Sequence, residues 1–191
     1  MNVKEKLKGT LSKRRKHRIT GSNLIPAAVL VPIYLKEGRY HLLFTQRTEK
    51  VKVHKGQISF PGGAYQEGDG TLLNTALREC AEEINLNARR VEVLGELDDT
   101  TTITSNYAIS PFVGIIPWPY QFKVDGKEVE EIIEAPISAL LAKGCAGKVT
   151  KAVDNKKVTS YYYHFKGRVI WGATAAILNQ FLDIFSRVAG K

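Results

Sequence analysis

Residues 62–86 read GGAYQEGDGTLLNTALRECAEEINL, and within them the spacing of apolar residues becomes that of a helix. From Thr71 to Ile84, Leu73, Leu77, Cys80 and Ile84 fall at steps of four, three and four, with Leu72 and Ala76 alongside. They line one face of an α-helix. Asp69 or Thr71 can cap its start, and Asn85 stands where a left-handed residue ends a helix, asparagine being the usual second choice to glycine. Phe60-Pro61-Gly62-Gly63 stop any regular element before it, because proline removes a donor and the glycine pair permits backbone geometries closed to other residues.

Upstream, the Val- and Ile-rich stretch from Pro26 to Leu35, the turn residues Lys36-Glu37-Gly38-Arg39, and Tyr40–Gln46 predict a hairpin of two buried strands. Arg47 to Ser59 is polar and basic and reads as a surface loop. Downstream, Val91–Leu97, Tyr107–Ile116, Val129–Ile133 and Val158–Phe165 predict strands. Ile137–Lys143 predicts a short helix and Trp171–Val188 a closing amphipathic one. Strands mixed with a few helices over one core indicate an α/β or α+β sandwich.

The 191 residues suit one globular domain with a real core. The apolar run Leu24–Leu35 is broken by Pro26 and Pro32 and falls short of the roughly 20 residues that a membrane span needs. The N-terminus leads into no continuous apolar segment, so it does not read as a secretory signal. Cytoplasmic localisation is the expectation. Cys80 and Cys145, without CxxC or CxxH spacing, fit reduced packing residues rather than a disulfide framework or a zinc site. Most of the net charge of +9 sits in the first twenty residues, where Lys4, Lys6, Lys8, Lys13, Arg14, Arg15, Lys16 and Arg18 face Glu5 alone. That run is read as a solvated leader, residues 1–20, ahead of a single domain at 21–191; a nucleic-acid arm is the disfavoured alternative.

Glu79, Glu82 and Glu83, spaced i, i+3 and i+4, share a helix face pointing away from the apolar stripe, toward solvent. Three like charges together mildly destabilise a plain helix. Arg78, directly before the first acid, can pair with and orient them. Mg²⁺ prefers a few carboxylates with waters and phosphate oxygens, so the cluster suits metal-assisted attack of water on phosphorus, with Arg or Lys side chains neutralising the anhydride.

Gly63–Leu86 resembles the Nudix box: Gly, five residues, Glu, seven residues, Arg-Glu, aliphatic, any, Glu-Glu, any, Gly, aliphatic. Arg78-Glu79-Cys80-Ala81-Glu82-Glu83-Ile84-Asn85-Leu86 fits its second half, with Cys80 in the aliphatic slot and Asn85 replacing glycine. Asp69 holds the early Glu position, with one extra residue before Arg78, which leaves its role open. Leu43 to Thr48, continuing through Lys52, His54, Gly56 and Phe60-Pro61-Gly62-Gly63, is similar to the motif of the coenzyme A pyrophosphatase branch of that family. Phe44, Thr48 and Lys52 depart from that motif. Ser110–Gly114 and Ile170–Ala175 resemble further segments of the branch, so the likeness covers most of residues 26–185.

The resemblance implies an α/β/α sandwich with a mixed β-sheet and the box as a loop–helix–loop. It implies Mg²⁺ or Mn²⁺ bound through Glu79 and Glu83, with Glu82 as a further ligand or base, and cleavage of coenzyme A to 3′,5′-ADP and 4′-phosphopantetheine. Arg78 joins the catalytic set; Arg47, Lys52, Gly62 and Gly63 are substrate-binding candidates. Asp69 and Glu128 are candidates for an additional acid or base, while Trp118, Tyr120 and Phe122 read as local packing around Pro117 and Pro119. Other substrates of the same chemistry are ADP-ribose, NADH and dinucleotide polyphosphates. A nucleic-acid-binding regulatory module is the third reading; homo-oligomerisation is left open.

Overall fold

Glu37 and Gly38, both at positive φ, form the two-residue turn between strands β1 (Ile25–Lys36) and β2 (Arg39–Arg47), which pair as the predicted hairpin from Ile33↔Leu42 to Lys36↔Arg39. Positive φ at both central residues matches the twist of the flanking strands. The computed structural model describes residues 2–21, 23–49, 55–102, 105–153 and 156–190. In chain order, its next strands are β3 (Ile58–Ser59), β4 (Gly62–Ala64), β5 (Glu92–Glu96), β6 (Thr100–Thr101), β7 (Tyr107–Ile115) and β8 (Val129–Pro136). Among the described residues these eight strands make one sheet with a central path β3-β2-β1-β7-β5. β4 joins it on β1, β6 on β7 and β8 on β2. β1 and β7 run parallel and the other pairs antiparallel, giving the mixed sheet.

The two-residue period of β1 and β2 divides the core. Val31, Ile33, Leu42 and Phe44 enter one apolar cluster, while Ala28, Leu30, Tyr34 and Leu43 enter another on the opposite face. Helix α1 (Val3–Lys13) contributes Leu7 and Leu11 to the first cluster. Helix α2 (Leu72–Ile84) covers the second with Ala76, Cys80 and Ile84. The short helix α3 (Ile137–Leu140) and the long α4 (Gly172–Ala189) pack on the first. The architecture is therefore an α/β/α sandwich. A separate antiparallel sheet of β9 (Ala146–Val153), β10 (Lys156–Phe165) and β11 (Arg168–Trp171) leads into α4. Cys80 and Cys145 are both buried and free. No helix among the described residues is long and apolar enough to cross a membrane.

The expectation of a solvated leader is corrected. Val3, Leu7 and Leu11 repeat every four residues on one face of α1, and Leu7 and Leu11 are only 1% and 4% exposed. Asn2 caps the helix by accepting from the Glu5 N–H. Gly95, at φ +151, lets the helix approach β5 closely: a Cβ there would lie 2.7 Å from Leu11 Cβ. Lys4 and Lys8 both pair with Glu92 of β5, at 2.9 and 3.3 Å. Positive charge that looked suited to solvent is the rim of a helix docked through its apolar stripe. Leu11→Ala is expected to cost about 2–5 kcal/mol in urea unfolding, the range for a leucine truncated in a packed core. A freely solvated leader would show no change.

Candidate active site

Helix α2 is held at both ends as its sequence suggests. The Thr71 side chain accepts from Asn74 N–H at the start, and Asn85 at φ 57 closes the end, with Leu86 N–H returning to the Cys80 carbonyl. Asp69 sits in a 3₁₀ turn (Glu67–Asp69) before the helix. Its Oδ1 accepts Arg78 Nε at 2.7 Å, and its Oδ2 accepts Arg78 Nη2 at 3.2 Å, Thr75 Oγ1 at 2.8 Å and Gln66 N–H at 3.0 Å. The Arg78 hydrogen bonds, with the Gln66 and Thr75 donors, hold this carboxyl well below the usual carboxylate range. With its oxygens so engaged, Asp69 is a counter-ion to Arg78.

Arg78 spreads its remaining donors over three further oxygens. Nη2 donates to the Ala64 carbonyl at 3.2 Å, and Nη1 reaches Glu79 Oε1 at 2.9 Å and Glu82 Oε2 at 3.1 Å. Glu82 is 59% exposed at its side chain. Glu83 is not, and the expectation that all three acids face solvent is corrected: it is 5% exposed and its Oε2 accepts Gly62 N–H at 3.2 Å. Gly62 has φ +153, and a Cβ there would overlap the Ala28 carbonyl oxygen. A Cβ on Gly63 would lie 2.6 Å from the Glu79 carboxyl. Gly62 thus lets β4 lie close against β1 and donates its N–H to Glu83, while Gly63 leaves room for the Glu79 carboxyl. Burial, partly countered by Gly62 N–H, pushes Glu83 up to about 8, and burial also raises Glu79 despite Arg78 beside it.

Arg47 Nη2 donates to Glu128 Oε2 at 3.2 Å, while Arg47 Nε is buried without a partner among the described residues. Glu128 is presented by a loop tied to the end of α2. Asp125 N–H donates to the Glu83 carbonyl at 3.1 Å, and the Asp125 carboxylate accepts the N–H groups of Glu128 and Val129. Trp118, Tyr120 and Phe122 pack against the second core, as read from the sequence. Trp118 stacks on Tyr34, and Tyr120 OH donates to the Asn85 carbonyl at 2.8 Å. Lys52, and His54 beside it, lie outside the described residues.

Arg47, Gly62, Gly63, Glu79 and Glu128 line one cleft of about 780 Å³. Trp171 to Thr174, within the segment singled out by its resemblance, form another wall, whereas the sequence reading missed Thr100–Thr102 with Ser105 and Thr159–Tyr161. Those segments are far apart in the chain and carry no common motif. Asp125, the brace behind Glu128, had a local signal in the Asp125-Gly126 turn pair.

Among the described residues no three His, Cys, Asp or Glu side chains converge closely enough to hold a metal ion unaided. The donor chemistry nevertheless suits a hard divalent cation. Buried Glu83 and partly buried Glu79 both have raised proton affinity, Glu79 despite its pairing with Arg78, so added positive charge would stabilise their ionised forms, and Mg²⁺ completes its shell with water and phosphate oxygens.

Burial lifts Glu83 from its ordinary 4.5 to about 8, so folding takes up a proton in that window and metal-free protein loses stability as the pH rises through it. Glu83→Gln keeps an acceptor for Gly62 N–H and removes the charge. It is expected to flatten the fall in Tm between about pH 5 and 8 and to raise Tm at the upper end, each kcal/mol relieved being worth about 2–4 °C. Thermal scans of the two proteins check this; parallel curves would remove Glu83 as the titrating group.

Comparison with known proteins agrees with this geometry. A family model of the NUDIX domain matches residues 24–148. A protein of Photorhabdus laumondii named uncharacterized Nudix hydrolase NudL is 34% identical over 154 residues, 81% of each chain. Its namesake in Citrobacter koseri is 36% identical over 157 residues, 81% of this chain and 79% of that one. The structure of a MutT/nudix family protein from Enterococcus faecalis superposes with a TM-score of 0.59 at 14% identity, covering 100% of this chain and 71% of that one. The Nudix hydrolase RenU of M. smegmatis gives 0.52 at 16%, covering 68% and 83%. At those identities the two structures speak for the fold alone, whereas the family match and the relatives' identity over most of their length go further: this chain belongs to the Nudix hydrolase family.

Proposed function

We propose that the chain cleaves the phosphoric anhydride of coenzyme A or its derivatives, yielding 3′,5′-ADP and (acyl-)4′-phosphopantetheine, with Mg²⁺ or Mn²⁺ held by Glu79 and Glu83. The supporting observation is that two segments resembling the coenzyme A pyrophosphatase branch, Leu43 to Gly63 and Ile170–Ala175, are distant in sequence but contribute residues to the cleft that Glu79 lines. The charged lining among the described residues, Arg47, Glu79 and Glu128, lies toward β2, β4 and β8. The β6 side offers the hydroxyls of Thr100, Thr101, Thr102 and Ser105. From β4 to β6 the floor crosses β1 and β7, three strand spacings or about 14 Å. In coenzyme A the charged anhydride joins 3′-phosphoadenosine to a long, uncharged, amide-bearing arm, and an anhydride at the charged side with that arm along the hydroxyls matches the polarity.

When bound, the divalent cation supplies charge neutralisation at the anhydride and activation of the attacking water. The chain's own groups do the rest. Gly62 N–H holds Glu83, the lack of a side chain on Gly63 gives the Glu79 carboxyl its room at the cleft, and Glu82, exposed on the same helical turn, is available as a further ligand or as base for the water proton. Arg47, whose Nε has no partner among the described residues, turns to a phosphate oxygen with Gly62 and Gly63 beside it. Arg78 positions Glu79 and Glu82, and Asp69 holds Arg78. The nucleic-acid reading of the basic N-terminus loses ground here, because Lys4, Lys8, Arg14, Lys16 and Arg18 are paired with acids of this chain.

Incubation with Mg²⁺ or Mn²⁺ and a panel of coenzyme A, acetyl-coenzyme A, ADP-ribose, NADH and diadenosine polyphosphates is expected to release 3′,5′-ADP from the first two. Cleavage of another member alone would keep the family chemistry and discard the coenzyme A assignment. Glu82→Gln and Glu83→Gln are expected to lower kcat roughly a thousandfold or more with circular dichroism unchanged. A variant with near-normal metal-dependent turnover would remove that residue from the site.

A further inference from the structure

Beyond α1, the segment Arg14–Ile19 crosses the strand connection Glu96–Asp99 and is fastened to it along its length. Arg14 pairs with Asp98 at 2.8 Å, His17 N–H donates to Asp98 Oδ1 at 2.9 Å, Asp99 N–H donates to the His17 carbonyl at 3.0 Å, and Ile19 N–H donates to Asp99 Oδ2 at 2.9 Å. Lys16 lies at the centre. Its ammonium is 2.7 Å from Glu96 and 2.8 Å from Asp99, and 5.6 Å from the centroid of the Phe112 ring. The Lys16 and Asp99 side chains are only 10% and 8% exposed. Asp99 Oδ1 also accepts Ser110 Oγ at 2.7 Å, so this nearly buried pair is satisfied on both sides.

The residues that follow Asp99 at once are Thr100, Thr101 and Thr102, the cleft wall opposite Glu79. Their own hold on the sheet is short: among the described residues β6 pairs with β7 at Thr100↔Ile109 and Thr101↔Ala108, and Thr102 donates its N–H to the Tyr107 carbonyl and accepts Tyr107 N–H at its Oγ1. A strand this short is weakly fixed by pairing alone. It is clamped from outside, by the Arg14–Ile19 strap on one side and by Gln180 of α4 on the other. Gln180 Oε1 accepts Asp98 N–H at 3.1 Å, and Nε2 donates to the Asp98 carbonyl and Thr100 Oγ1.

We propose that the Arg14–Ile19 strap positions the substrate-binding wall, with Lys16 as the positioning residue that acts through Asp99 on Thr100–Thr102. This rests on the reading of the cleft as the substrate site. Lys16 touches none of the catalytic acids, so its loss weakens substrate binding without altering the chemical step.

The test is Lys16→Met in the full chain, with Lys16→Arg as the conservative rescue and Ser110→Ala as a milder change that removes one donor from Asp99. KM and kcat are read on whichever panel substrate the wild type cleaves, and hydrogen exchange is read at the amides of Thr100–Thr102 and of α2. Lys16→Met is expected to raise KM about fivefold or more with kcat within about twofold, and to speed exchange at Thr100–Thr102 while α2 stays protected. Ser110→Ala shifts the same readouts less, and Lys16→Arg restores them. Unchanged KM, or equal loss of kcat in Lys16→Met or, should that variant not fold, in Ser110→Ala, overturns the proposal. Failure of the coenzyme A assignment shows separately, as wild-type turnover of a different panel member, and a wild type that cleaves none overturns both.

Discussion

Arg78 is the joint on which the loop–helix–loop depends. One planar guanidinium reaches the Asp69 carboxylate in the turn before α2, the Ala64 carbonyl of β4, and two acids of its own helix. Lysine cannot copy this, because an ammonium has no fixed fork of donors. The same contacts explain why three acids are tolerated within two helical turns: Glu79 and Glu82 share a cation that is itself anchored by a fourth carboxylate. Removing the arginine would strand Asp69, nearly buried, with its counter-charge gone, a loss of about 3–5 kcal/mol for a pair of this kind.

Glu83 shows the opposite economy. Arg78 does not reach it, apolar residues surround its helix face, and its proton affinity rises accordingly. A hydrophobic residue would suit the fold better at this position, so the carboxylate is a local loss of stability, offset by the two cores on either side of the sheet. Such departures from the rule that buried charges are paired mark places where something other than folding sets the residue.

The sequence reading succeeded where the signal was local. The Glu37-Gly38 turn, the four-three-four spacing of α2, and the caps at Thr71 and Asn85 each sit within a few residues of what they determine. It failed where the determinant lies elsewhere in the chain. Glu83 is adjacent in the sequence to Glu82 and equally polar; that one is buried and the other exposed follows from Gly62, twenty-one residues earlier, donating to the first. In the N-terminal run, charge hid an apolar repeat: Val3, Leu7 and Leu11 were present at helical spacing, but their partner surface on β5 and α4 could not be inferred from residues 1–20. Strands β3, β4 and β6, two or three residues long, are too short to show a period at all.

The placement of the acids also explains the glycine at position 63 of β4, whereas Gly62 is required by its close approach to Ala28 and Val29 of β1. α2 packs on the face of the sheet bearing Ala28 and Leu30, whereas the cleft opens over Ala27, Val29 and Ile109 on the other face. A carboxylate on α2 is therefore on the wrong side of the sheet for the cleft unless it can pass a strand. β4 is the strand it passes, and with no Cβ at Gly63 the Glu79 carboxyl reaches the cleft from behind the sheet. Any side chain at Gly63 would occupy the space of the acid it admits. Gly63, the helix face and the arginine that orients it are thus one construction.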